Sequence, residues 1–273
     1  MRTDEEQAGT CEWSREVYAE ARPTAALSTV LPIRPRADRV DGTPLFCVAG
    51  EAGLAWPFAG LLAHLAPEIP VYGLQTVVSL PTIEEYARHF LAEIRRIVPT
   101  GPYQLLGWSV GGLVAQEMAV RLREDEQVVR VVLLGSDLDA GQLTTTTPRR
   151  FTERLIVDEE GGAPNSETDT IATDTIATDF ADSLARTIAM TGAELRNLID
   201  HADALTRAAA THRPQHLPGE LVLVVPERDR PDADAALRNR RRFGPVRGHA
   251  VDATLDDLLA PEVLALVADL LTV

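Results

Sequence analysis

Gly107-Trp108-Ser109-Val110-Gly111 carries the strongest chemical signal in the chain. A short apolar run, 103–108, ends in Gly-x-Ser-x-Gly and passes directly into a helical pattern, which places the serine on a tight strand-to-helix turn. Such a turn holds the serine backbone in a strained conformation that projects Oγ outward. Gly107 and Gly111 withhold side-chain bulk where strand and helix nearly touch. The helix that follows aims free N–H groups and the positive end of its dipole at the serine, making the Val110 N–H a candidate donor to an oxyanion. The chemistry implied is nucleophilic attack by Ser109. The plainer alternative is an ordinary strand-helix turn with an incidental serine.

A nucleophile so placed needs a sheet to hold it. Apolar, β-branched runs at 44–48, 70–74, 103–108, 128–134, 221–225 and 246–251 alternate with helical spacing at 53–65, 82–98, from the elbow to about 123, and 261–271. Thr82 with Glu85 forms a capping box for the second of these helices, and Pro99 and Gly101 stop it. This alternation predicts an α/β domain, a mostly parallel sheet with helices on both faces, right-handed crossovers and ligands at the strands' carboxyl ends. Between about 141 and 218 the alternation is interrupted. There Thr168-Asp169-Thr170-Ile171-Ala172 is repeated as Thr173-Asp174-Thr175-Ile176-Ala177, and 180–210 has amphipathic helical spacing. We read 141–218 as a helical lid inserted over the serine, with a surface decoration as the alternative. Residues 1–28 form a polar N-terminal extension, 29–43 an extended, proline-punctuated linker, and 44–273 the folded domain.

Composition narrows the partners. The chain has 273 residues, 45% of them hydrophobic, enough to bury one α/β core with length left for an insertion. A net charge of −15 argues against nucleic acid or an anionic membrane as the main partner. All 26 basic residues are arginine, so a Ser-Lys dyad, a Schiff base and pyridoxal chemistry are excluded by inventory. Two cysteines, no cationic-then-apolar leader and no apolar run approaching membrane length point to a reducing cytoplasm.

Beyond the elbow, several stretches resemble one family. Thr29-Val30-Leu31-Pro32-Ile33-Arg34-Pro35, Pro44-Leu45-Phe46-Cys47-Val48, Gly53-Leu54-Ala55-Trp56, Val71-Tyr72-Gly73-Leu74-Gln75, Gly101-Pro102-Tyr103-Gln104-Leu105-Leu106-Gly107-Trp108-Ser109 and Asp257-Leu258-Leu259-Ala260-Pro261-Glu262 are similar to the thioesterase domains that end nonribosomal peptide synthetases. The resemblance runs from residue 29 nearly to the end and implies an α/β-hydrolase fold. It further implies a serine that takes an acyl or peptidyl group from the phosphopantetheine thiol of a carrier protein and passes it to water or an internal nucleophile. The phosphopantetheine belongs to the carrier, and no cofactor or metal of the protein's own is implied. Residues 1–28 lack a Gly-x-x-Ser attachment pattern, so the expectation is a freestanding member.

The departures bear on mechanism. Where the family has His-Pro-Ala-Gly-Gly, source of the second oxyanion N–H, this chain reads Ala49-Gly50-Glu51-Ala52-Gly53, which assigns the backbone of Glu51 as donor beside Val110. The family's aspartate position falls on Gly135, with Asp137 two residues late, and its histidine position falls on Leu255. Asp137 is the candidate acid, in competition with Asp229. No histidine is an obvious replacement. His249 lies six residues before Leu255, roughly 20 Å away if extended. His64, His89, His212 and His216 read as solvated or locally bonded, and His201 on the expected lid is the one whose tether could bring it to Ser109. Loss of a triad member typically costs ~10⁴ to 10⁶ in turnover, so fast hydrolysis is not expected.

Three readings follow. The first is slow or unconventionally based acyl transfer through Ser109. The second is other chemistry in the same pocket, cyclisation or epimerisation, with Asp137 or Asp256 as acid or base. The third is a binding module that has lost turnover. Arg238, Arg240, Arg241 and Arg242 form a basic cluster suited to an acidic carrier, or equally a solvated helix face.

Overall fold

The computed structural model describes residues 28–36, 42–124, 128–136, 192–228 and 232–272. Its strands are β1 (Val30–Arg34), β2 (Leu45–Val48), β3 (Val71–Leu74), β4 (Tyr103–Trp108), β5 (Val128–Leu134), β6 (Leu221–Pro226) and β7 (Val246–Val251). The α-helices are α1 (Ile83–Ile97), α2 (Val110–Glu124), α3 (Gly192–Thr211), α4 (Ala233–Arg240) and α5 (Pro261–Thr272). The strands form one seven-stranded sheet in the order β1-β3-β2-β4-β5-β6-β7, parallel throughout except for β1, which runs antiparallel to β3.

Apolar side chains cover both faces of this sheet. On one face Phe46, Leu105, Val131 and Leu223 pack against Tyr86 and Phe90 of α1 and Val114 and Met118 of α2. On the other, Cys47, Leu106, Val132 and Val224 pack against Phe58 and Leu61 and against Leu264 and Val267 of α5. Strands buried on both sides must be continuously apolar, which is why the run Leu221–Pro226 shows no polar alternation. The N-cap half of the expected Thr82 capping box forms, the Thr82 hydroxyl accepting from the Glu85 N–H at 3.2 Å.

Two expectations need correction. The stretch read as a linker contributes β1, whose Val30 pairs with Leu74 and whose Pro32 pairs with Tyr72. β1 is an edge strand, and an edge tolerates a residue with no N–H to donate. The helical spacing at 53–65 folds as a 3₁₀ helix, Trp56–Ala63, with proline in its first turn. Of the stretch read as a lid, residues 192–218 are described, and their helix α3 is anchored in the core. Leu205, Ala208 and Ala209 are buried in the main core with α1 and α2, and Leu217 beyond the helix joins them. Helical periodicity gives a stripe to bury but not the surface that receives it. The repeated pentapeptide and the remainder of the lid, up to residue 191, lie outside the described residues.

This topology puts a switch point, and with it a crevice at the strands' carboxyl ends, between β2 and β4. From β2 the chain crosses to β3 on one side and then back over to β4 on the other, so the connections leaving β2 and β4 diverge at their carboxyl ends. Glu51 follows β2 and Ser109 follows β4.

Candidate active site

Ser109 sits in the turn between β4 and α2 with φ +50°, and among the described residues it is the one non-glycine with positive φ. Such a backbone costs on the order of 1 kcal/mol or more and persists only where the surroundings enforce it. They do so by contact and by hydrogen bonding. The Ser109 N–H donates to Leu134 O at 2.8 Å, tying the turn to the end of β5, and the Ser109 carbonyl accepts from Gly112 N–H at 2.9 Å in the first turn of α2. A Cβ on Gly111 would lie 2.1 Å from the Ala49 carbonyl oxygen, and one on Gly107 2.5 Å from Gly112 Cα. Gly112 is as constrained, since its Cβ would fall 1.8 Å from Ser136 Oγ.

The loop after β2 is held by a separate set of bonds. Gly53 N–H donates to Gly50 O at 3.0 Å, Thr76 N–H to Gly53 O at 2.9 Å, and Ala55 N–H to the buried Gln75 Oε1 at 3.2 Å. Gln75 Nε2 in turn donates to Ser28 O at 3.0 Å, so the segment just before the edge strand anchors the loop. From the other side Leu198 of α3 packs with Leu54 and Trp56, and the Trp108 ring lies over Gly50.

This loop brings the side chain of Glu51 onto the serine. The Ser109 hydroxyl donates to Glu51 Oε1. The carboxylate also takes hydrogen bonds from the backbone of Val110 and of Glu51 itself, the two groups expected to serve an oxyanion. Burial pushes the Glu51 carboxyl above its ordinary range, the nearby negative charge of Asp256 adds to this, and the three hydrogen bonds oppose it in part. The Glu51 carboxyl thus occupies the two backbone N–H groups expected to serve an oxyanion while it contacts the Ser109 hydroxyl. The sequence assigned Glu51 through its backbone alone. Its side-chain contact with Ser109 is not part of that reading, although a carboxylate where the family has alanine was the available signal.

The arm that would complete a triad is built differently. Gly135 follows β5 with φ +58°, and a Cβ there would meet Leu255 Cδ2 and Leu258 Cδ1 at 2.6 Å each. Leu255 therefore fills the space that Gly135 leaves, and both positions are apolar and in contact. Leu255 is fixed by a small capping motif: Thr254 Oγ1 donates to Asp257 Oδ2 at 2.8 Å and accepts from the Asp257 N–H at 3.2 Å. That motif starts the 3₁₀ turn Asp256–Leu259 and leaves Asp256 exposed. Asp137 and Asp229 lie outside the described residues.

Three of the histidines hydrogen-bond to other residues. His201 Nδ1 shares a hydrogen bond with Ser79 Oγ at 2.8 Å, and burial lowers its pKa. His212 is buried and meets Glu84 Oε1 at 3.0 Å and His89 faces Thr29, whereas His249 pairs with Val224 through the β7 backbone only and its buried Nε2 has no hydrogen-bond partner among the described residues. Of the arginine cluster, Arg240 is buried and Arg238 faces Asp232 at 3.4 Å. Arg238, Arg241 and Arg242 are exposed, so three of the four reach solvent.

Among the described residues no group of three or more His, Cys, Asp or Glu could hold a metal ion, and no helix is long and apolar enough to cross a membrane.

Comparison with known proteins agrees with this architecture. Residues 43–260 match the Thioesterase domain family. Malpibaldin synthetase of Mortierella alpina is 38% identical over 147 residues, 51% of this chain and 2% of the synthetase. A dimodular nonribosomal peptide synthase of Bacillus subtilis (strain 168) is 41% identical over 117 residues, 40% of this chain and 5% of its own. The chain thus spans only a small part of these relatives. Among solved structures, the NocB thioesterase domain from the nocardicin cluster superposes with a TM-score of 0.59 at 26% identity, covering 86% of this chain and 94% of that one. The surfactin thioesterase domain SrfTE shares the fold with a TM-score of 0.60 at 16% identity, over 93% and 96% of the two chains. A strained serine after β4, a crevice at the sheet's carboxyl edge and a family match over most of the domain converge: the chain belongs to the thioesterase domain family, on an α/β-hydrolase fold.

Proposed function

We propose that this protein transfers acyl or peptidyl groups through Ser109, taking them from the phosphopantetheine thioester of a carrier protein in nonribosomal peptide or related secondary-metabolite biosynthesis. The observation that carries this reading is the Ser109 hydroxyl, presented on a strained turn and hydrogen-bonded to a carboxylate in the crevice between β2 and β4. A merely structural turn has no use for a positive-φ serine where glycine would be unstrained. The resemblance of the chain to thioesterase regions of nonribosomal peptide synthetases supports the substrate class.

Turnover is slow in this reading. Gly135 and Leu255 give the serine no aspartate-histidine relay, so the two half-reactions are affected unequally. Attack on a thioester has a good leaving group, whereas release of the oxyester needs an activated water or internal nucleophile. Incubation with a small thioester should therefore leave a long-lived adduct on Ser109, visible as a mass increase of the intact protein. Ser109→Ala should abolish it. A folded wild-type protein that accumulates no adduct and releases no product from any thioester would return the chain to the binding-module reading.

A further inference from the structure

The crevice leaves one chemical role open, that of the proton acceptor for Ser109, and among the described residues the ionisable side chain in contact with the Ser109 hydroxyl is Glu51. We propose that Glu51 is the general base of the acyl-transfer step, leaving the oxyanion hole as the acyl carbonyl enters and taking the Ser109 proton in place of the absent histidine. The proposal rests on the reading of Ser109 as the acyl acceptor.

Geometry carries the argument. A general base must lie within hydrogen-bond reach of the proton it removes, and the Ser109 hydroxyl already donates to Glu51 Oε1. The loop that presents Glu51 is braced through Gly53, Ala55 and the buried Gln75, so the carboxylate is positioned by the scaffold rather than by chance surface contact. Burial raises its basicity toward the working range of a base near neutral pH. The carboxylate also rests on the Val110 and Glu51 N–H groups. An incoming carbonyl oxygen needs those donors, and both acceptors cannot occupy them together. The side chain must therefore pivot, giving up the N–H groups while it keeps Oγ.

The step balances. Ser109 Oγ bonds to the thioester carbon, the carbonyl π pair moves to oxygen, and the Val110 and Glu51 N–H groups take up that negative charge as the Oγ proton passes to the Glu51 carboxylate. Collapse re-forms the carbonyl and breaks the C–S bond. The electron pair leaves on sulfur, and the proton held by Glu51 moves to it. The products are an acyl-Ser109 ester and a free thiol, with Glu51 ionised again.

The hexanoyl thioester of N-acetylcysteamine, the terminal fragment of phosphopantetheine, provides the test. The rate of adduct formation is read by intact mass for the wild type, Glu51→Ala, Glu51→Gln, Asp256→Asn and Ser109→Ala, each shown folded by circular dichroism. We expect Glu51→Ala and Glu51→Gln to acylate at least ~10²-fold more slowly, the lower end of general-base contributions. Added formate should restore part of the rate to Glu51→Ala in a concentration-dependent way and do nothing for Glu51→Gln, whose amide still fills the space. The wild-type rate should rise with pH and level off. Among the described residues Asp256 is the charged group acting on Glu51, so Asp256→Asn should move that rise to lower pH without abolishing it. Equal or faster acylation in both Glu51 variants would overturn the proposal, because the carboxylate would then only block the hole, and Ser109 would still be the acyl acceptor. An adduct that persists in Ser109→Ala would instead overturn the reading of Ser109 itself.

Discussion

The crevice between β2 and β4 and the arm formed by the ends of β5 and β7 lie on the same edge of the sheet, yet they are built on opposite physical terms. On the crevice side, a serine at φ +50° faces a carboxylate that burial makes costly to ionise, and glycines admit contacts closer than any Cβ allows. On the arm side, Leu255 packs into the space above Gly135, with Leu258 behind it. Strain and the desolvation of an ionisable carboxyl lower stability, whereas hydrocarbon packing raises it. Stability alone would favour the arm's solution everywhere. The cost on the crevice side is thus concentrated at the residues to which we assign chemistry, and the arm has become part of the core.

Breaking the crevice side should produce the largest effect. In Gly111→Ala the new methyl group would meet the Ala49 carbonyl oxygen at 2.1 Å and Val48 O at 2.7 Å, both main-chain atoms at the root of the loop that carries Glu51. Neither can turn aside as a side-chain tip would. We expect a loss of about 3 kcal/mol, at the upper end for an overpacked core, read as a drop in the urea midpoint. A loss within 0.5 kcal/mol would mean that the elbow is not held as tightly as its contacts require.

On the arm side the comparison can be sharpened by a double-mutant cycle. Gly135→Ala adds a methyl group against two leucine tips and strains a residue at φ +58°, for a cost of about 2 kcal/mol. Leu255→Ala removes one of those tips. If the two positions are one packing unit, the double variant should be more stable than the sum of the singles predicts by about 1 kcal/mol. Strict additivity would show that Leu255 and Gly135 are neighbours without being coupled. The same contacts bear on restoring a triad: aspartate at 135 with histidine at 255 relieves the Leu255 contact but leaves Leu258 Cδ1 in place, so a working relay also requires Leu258 to move.

Local signals were legible in the sequence and long-range ones were not. The elbow could be read because its glycines, serine and following helix are contiguous, and the Thr82 cap because its partner is three residues away. β1 was hidden by Pro32 and Pro35, which mark a linker as readily as a sheet edge, and only the pairing with β3 decides between them. Arg240 counted toward a surface cluster because helix numbering does not reveal which residue turns inward. The role of Glu51 depends on a contact between residues 58 apart, made by a loop whose path is set by Gln75 and Gly53. Sequence order offers no view of such a contact.

The smallest expected effect tests whether the crevice carries a cost at all. Glu51→Gln keeps the shape of the side chain and an oxygen that can still accept, but removes the charge. Because burial raises the folded carboxyl above its unfolded value, the folded state holds on to the Glu51 proton at pH values where the unfolded chain has lost it. Wild-type stability therefore falls as pH rises through that interval, and the fall is complete once the folded carboxyl has ionised. Below the ordinary carboxylate range, about pH 4, Glu51 is neutral in both states and the variant has no advantage. The stability of Glu51→Gln minus that of the wild type should thus be near zero in acid, grow with pH and level off. Glu84 and Glu117 titrate in both proteins and cancel in the difference. Urea midpoints across that pH range supply the measurement. A variant that is less stable than the wild type at neutral pH would show that the three hydrogen bonds to the Glu51 carboxylate outweigh its burial. The crevice would then be held together by the anion rather than strained by it, and the contrast with the arm would disappear.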